Sequence, residues 1–193
     1  MAGPYGYYGK FPALGDFVRG GASRGFVRVW DEWLQQGIAY TRSLVGDGWR
    51  DVYASAPIWR FQLGADVAHD RPLFGVMMPS QDAVGRLFPL AIISEGAGPD
   101  GGLANDELFV PLEDAALEML DTLNGKAALE DMLAKLPAPK DGPSPTARTS
   151  QWRSAPDAEF GDPADHIFSG LPEGTGFLKL MGYSPQALDL GAI

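Results

Sequence analysis

Apolar residues change their spacing several times along this chain, and each change marks an element. From Arg24 to Val45, large side chains fall at Phe26, Trp30, Trp33, Leu34, Tyr40 and Leu44. That three- and four-residue rhythm predicts one amphipathic helix. Ser23 can cap it and Gly46 can stop it. Asp47–Ala54 reads as a further short helix, ended by Pro57. A third helix is expected to start at Pro111, a residue suited to the first helical position. Glu113 and Asp114 would then complement the N-terminal dipole, and Leu112, Ala116, Met119 and Leu123 would mark one face. Asn124-Gly125 ends that helix, and Lys126–Leu136 gives another, stopped by Pro137.

Other segments have the short, bulky pattern of strands: Tyr5–Lys10, Ile58–Leu63, Leu73–Met78 and Phe88–Ile93. Ile58–Leu63 alternates large residues, with Arg60 on one face. The later connections are too short for a helical crossover, so an antiparallel meander of three strands is expected. Phe11–Phe17 reads as a shaped loop and Glu95–Asn105 as a glycine-rich one. Pro137, Pro139, Pro143 and Pro145 mark an extended linker or mobile loop near 137–149. Beyond it, Gln151–Arg153 and Gly176–Leu180 are too brief to stand alone. They are expected to return to the main sheet as short strands or a terminal helix, making 1–193 a single domain. No repeat is seen at periods of roughly 20–50 residues.

Charge narrows the partners. With 25 acidic against 15 basic residues the chain carries a formal −10, which opposes nucleic acid and anionic membranes and favours a protein partner or small ligand. The bases concentrate in the first half, whereas the acids of Asp100–Asp131 read as a solvated helical face. No apolar run approaches the ~18 residues of a membrane span, and Met1–Lys10 lacks the basic flank and apolar core of an export signal. The absence of cysteine excludes disulfides and thiolate chemistry. The two histidines, His69 and His166, lack ligand spacing, so no metal site is expected. No phosphate-binding loop, dinucleotide fingerprint or nucleophile elbow is present, and neither catalytic residues nor cofactors are expected. The five tryptophans read mainly as core, with any exposed remainder suited to an interface.

The densest chemistry lies in Pro79-Ser80-Gln81-Asp82-Ala83-Val84-Gly85-Arg86-Leu87-Phe88-Pro89-Leu90. Two prolines and a glycine fix the backbone, so Asp82 and Arg86 can form an ion pair with little loss of side-chain freedom. The pair reads either as a brace for its own turn or as part of a site. In a ligand-binding or enzymatic reading, Arg60 and Arg86 would hold an anionic group while Asp16 or Asp82 moved a proton. A structural subunit is the third reading, and it would require a large exposed apolar patch.

Four segments taken together carry a resemblance: Gly6–Val18, Trp30–Leu34, Ala56–Phe61, and Gly75–Ser80 continuing through Phe88-Pro89-Leu90. They resemble the TagF family, also called ImpM, of bacterial type VI secretion, over roughly Tyr5–Leu120. The family pattern P-S-x-D-x-V-G-R-x-F-P-L is met by Pro79, Ser80, Asp82, Val84, Gly85, Arg86, Phe88, Pro89 and Leu90. The resemblance implies a cytoplasmic accessory protein that represses the secretion apparatus after translation. It would do so by contact with another component, such as the forkhead-associated scaffold protein. The resemblance also implies an α/β architecture of the α+β kind, a longin-like sandwich whose mainly antiparallel central sheet has helices on both faces. Some relatives are joined to a phosphatase module, and none fits in this chain. No catalytic residues carry over from the family, so the shared polar set Lys10, Asp16, Arg60, Ser80, Asp82 and Arg86 is a candidate site or brace argued from chemistry.

Overall fold

The computed structural model describes residues 3–155 and 162–183, so the ends of the expected 1–193 domain lie outside the described residues. Its strands are β1 (Gly6–Gly9), β2 (Val18–Gly20), β3 (Trp59–Leu63), β4 (Leu73–Met78), β5 (Leu90–Glu95), β6 (Gly98–Pro99), β7 (Asp141–Gly142), β8 (Thr149–Ser154) and β9 (Asp165–Ser169). Seven of them form one sheet in the order β2-β1-β5-β4-β3-β8-β9, while β6 and β7 make a separate two-stranded ribbon. All these pairings are antiparallel, and β3-β4-β5 is the expected meander.

Because side chains alternate across a strand, each face of the sheet builds its own core. One face receives α1 (Arg24–Val45), α2 (Trp49–Ala54) and α5 (Thr175–Leu180). There Trp30 of α1 stacks on Phe61 of β3 at 4.9 Å between ring centroids, and Phe61 on Trp152 of β8 at 5.0 Å. The other face receives α3 (Asp106–Glu118) and α4 (Lys126–Lys135), with Phe109, Leu112 and Leu129 against Phe74, Val76 and Ile92. This is the α+β sandwich with helices on both faces, and it explains why the central strands read as unbroken apolar runs. Helix α1 has the bounds its periodicity predicts, and the Ser23 hydroxyl accepts from the Phe26 N–H at 3.2 Å. No helix among the described residues is long and apolar enough to cross a membrane.

Several expectations need correction. The sequence reading missed β2, whose three residues pair with β1 at Tyr8–Arg19 and Gly9–Val18 and are too few to show a period. Strand β5 starts at Leu90, because Phe88 donates instead to the Ser80 carbonyl at 3.0 Å inside the preceding loop. Helix α3 begins at Asp106, capped by the Asn105 side chain at 3.3 Å from the Leu108 nitrogen, with Pro111 inside it. Proline there leaves the Glu107 carbonyl without its intrahelical donor, which is tolerable because Glu107 faces solvent. The same helix ends at Glu118, so Leu123 is exposed and on no helix face. The proline-rich segment is tied along its length. β7 pairs with β6, the Asp100 N–H reaches Lys140 O at 3.2 Å, and the Arg148 N–H reaches Ala65 O at 2.7 Å. Beyond it the chain re-enters the sheet through β8, which pairs with β3 over five residue pairs.

Candidate functional site

β1 and β5 bring two loops together at one end of the sheet. Gly9, at φ 146°, makes the approach possible, since a Cβ there would lie 2.1 Å from the Pro89 carbonyl oxygen. The chain then buries Lys10 and Phe11 and turns through Phe11–Leu14, where the Leu14 N–H reaches Phe11 O at 3.2 Å. The facing loop closes on itself. The Asp82 N–H reaches Arg86 O at 3.1 Å, the Gly85 N–H reaches Asp82 O at 2.9 Å, and Gly85 takes the left-handed φ of 78° that its position requires. Tyr53 of α2 clamps the entrance, its hydroxyl donating to Ser80 O at 2.9 Å and accepting from Ser80 N at 3.0 Å.

Asp82 organises the whole tip. Its Oδ1 accepts from the Val84 and Arg86 backbone N–H groups at 3.1 and 2.9 Å, while its Oδ2 meets Lys10 Nζ at 2.9 Å and Arg86 Nε at 2.6 Å. Burial alone would raise the carboxyl's pKa, but the hydrogen bonds from the Arg86 backbone, Lys10, the Arg86 side chain and Val84 hold it well below the usual carboxylate range. The loops are stitched across as well. The Ala83 N–H reaches Leu14 O at 2.9 Å, and the Arg86 guanidinium donates to the Gly15 carbonyl. Lys10 also sits over the Phe17 ring at 4.7 Å, and that ring stacks on Tyr8 and meets Phe88 edge-on. Buried polar groups thus hold an exposed surface made by Leu14, Phe17, Val84 and Arg86.

The structure therefore brings together Lys10, Asp82 and Arg86 from the six candidate residues, keeps Ser80 in the same loop without joining its hydroxyl to them, and sets Arg60 apart. Ser80 is buried in the same loop, and its hydroxyl has no hydrogen-bond partner among the described residues. Asp16 is exposed and only accepts from the Phe17 N–H at 2.7 Å. Arg60 does not join Arg86, because the alternation of β3 turns it to the opposite layer. There its Nε lies 2.5 Å and its Nη2 3.1 Å from the two Glu113 oxygens, and its Nη1 lies 2.7 Å from Asp106 and 3.2 Å from Leu103 O. Burial pulls its pKa down, but the two carboxylates more than offset this and raise it. A shared anion site for Arg60 and Arg86 is thus not formed.

Sequence reading missed Tyr53, Glu113 and Asp106. Glu113 left a signal, for it falls among Phe109, Leu112 and Ala116 on the buried stripe of α3, where a carboxylate needs a buried cation. The acidic stretch is therefore not wholly a solvated face. A cleft of about 390 Å³ lies elsewhere, lined by Tyr5, Tyr7, Gly21, Glu130 and Leu133, and includes none of the six.

Comparison with known proteins places this geometry in a family. No curated protein matches the chain. Among solved structures, the crystal structure of PA0076 from Pseudomonas aeruginosa PAO1 is similar, with a TM-score of 0.81 and 29% identity over 93% of this chain and 95% of that one. Residues 6–136, which run from β1 through α4 and include both ion clusters, match the TagF N-terminal domain described as type VI secretion system-associated. The chain belongs to the TagF N-terminal domain family, which is associated with the type VI secretion system.

Proposed function

We propose that this protein is a cytoplasmic accessory protein of a bacterial type VI secretion system and represses the apparatus after translation by binding another of its protein components. The forkhead-associated scaffold protein is the partner the family suggests. The observation that carries this reading is the braced tip, where Asp82, Lys10 and Arg86 fix two loops that expose Leu14, Phe17, Val84 and Arg86. Aromatic and arginine side chains dominate many protein interfaces, and a surface fixed before binding loses little conformational entropy on association. The reading gives the chain no catalytic role: Lys10, Asp82 and Arg86 spend their polar groups on one another and on the loop backbone. The formal charge of −10 likewise favours a protein partner over nucleic acid.

Affinity purification from a host carrying the secretion cluster tests the proposal. Tagged full-length protein is expected to recover a secretion component, and deletion to raise secretion. Arg86→Ala is expected to weaken recovery of the component while the melting temperature stays within a few degrees of wild type. Recovery of no component together with unchanged secretion on deletion would overturn the proposal.

A further inference from the structure

The two edges of the seven-stranded sheet are unlike. β2 has three residues and runs into Gly20-Gly21, so it offers little backbone to another chain. β9, Asp165-His166-Ile167-Phe168-Ser169, contains no proline, glycine or lysine and puts Ile167, 70% exposed, at its centre. Edge strands are ordinarily guarded by proline, by charged side chains or by a covering element; β9 carries one charge, Asp165, at its first position and paired with Arg153, and no strand among the described residues pairs with the outer side of β9. The direction of its peptide groups follows from its neighbours. The Ser154 N–H reaches Ala164 O at 2.9 Å and the Gly170 N–H reaches Arg148 O at 2.7 Å. His166 and Phe168 share that parity and face β8, so Asp165, Ile167 and Ser169 turn their N–H and C=O groups outward.

We infer that β9 is a self-pairing edge, through which two copies of this chain join antiparallel about a two-fold axis at Ile167. In that register Ile167 meets its own counterpart as a hydrogen-bonded pair, Asp165 meets Ser169 of the second copy, and His166 meets Phe168. Every outward N–H and C=O of the strand gains a partner, the exposed isoleucines cover each other, and no like charges are opposed. The two registers shifted towards the start of the strand are worse. A two-fold centred on His166 would set Pro163, which has no N–H, against Ser169, and one centred on Asp165 would oppose two carboxylates. This match of the strand to its own reverse selects a second copy as occupant. Five paired residues cover far less than the roughly 1,200–2,000 Å² of a standard stable interface, so the dimer is reversible and depends on concentration.

Sedimentation velocity on the full chain from about 10 µM to about 1 mM tests this. The dimer fraction is expected to grow with concentration, whereas Ile167→Lys stays monomeric throughout with an unchanged circular dichroism spectrum. A wild-type chain monomeric over the whole range, or a variant that dimerises equally, overturns the inference. A second measurement does not depend on that variant folding. The chain has no cysteine, so Ile167→Cys and Val84→Cys each introduce one thiol at positions exposed to 70% and 71%. In the two-fold register the Cα atoms of residue 167 lie about 5.5 Å apart, inside the roughly 4.4–6.8 Å that a disulfide spans. On oxidation Ile167→Cys is expected to give covalent dimer several-fold faster than Val84→Cys, and equal rates overturn the inference.

Discussion

Two ion clusters of this molecule are mirror images in charge and opposite in placement. In one, the buried cation Arg60 is surrounded by Glu113 and Asp106; in the other, the buried anion Asp82 is surrounded by Lys10 and Arg86. Each has one member in water: the Asp106 side chain is 68% exposed and that of Arg86 59%. Arg60 joins β3 to α3 and so fastens one layer of the sandwich to the next. Asp82 joins two loops at the sheet's end, and besides two side-chain cations it accepts two backbone N–H groups of its own turn. The first cluster sets how layers stack, and the second sets the shape of a surface.

Breaking the centres should give the largest effects. Arg60→Ala strands Glu113 in the interior and is expected to cost about 3–5 kcal/mol, read as a lower urea midpoint at unchanged slope. Replacing Arg60 and Glu113 together by Met and Leu should return most of that loss, because a buried pair can be exchanged for well-packed apolar groups. The Asp82 centre should not be rescued in this way, since the Val84 and Arg86 N–H groups would lose their acceptor whatever replaced Lys10. Asp82→Asn, which keeps one acceptor oxygen, is expected to cost about 2–3 kcal/mol.

Acid sharpens the contrast. The folded-state pKa of Asp82 lies below the ordinary carboxylate value, so its ionised form contributes stability that is complete above the unfolded pKa of about 3.9 and is lost as pH falls through the folded one. The gap between the urea midpoints of wild type and Asp82→Asn should therefore hold above about pH 4 and narrow steadily as the pH is lowered from there towards the folded pKa. A gap that stays constant over this range would show that the carboxylate's charge is not what braces the tip. The smallest effects belong to the exposed members. Arg86→Ala and Asp106→Ala should each cost about 0–1 kcal/mol, but only Arg86→Ala should weaken capture of a secretion component.

Much of the fold was legible because its signals are local. Helix α1 was readable over its full length from a 22-residue stripe with a cap and a stop, and β4 from an apolar run bounded by prolines. Elements whose existence depends on a neighbour were not. β2 forms because β1 offers it a ladder, and the start of α3 was masked by Pro111, which suggested a boundary where the chain in fact continues helical. The Asp82–Arg86 pair could be read from four-residue spacing in a fixed turn. Lys10, 72 residues away, could be named as a candidate but not assigned to that carboxylate, and Arg60 could not be separated from it.

The sequence by itself determined the periodic elements, the rigidity of the Pro79–Pro89 turn and the family. Local spacing and backbone-restricting residues write those into the chain directly. Only the tertiary structure decided which charge meets which. That choice depends on the face to which each strand turns its side chains and on strand order, which put Lys10 beside Asp82 and Arg60 in the opposite layer. Strand order also put β9 at the edge of the sheet among the described residues, which no local pattern within Asp165–Ser169 could announce.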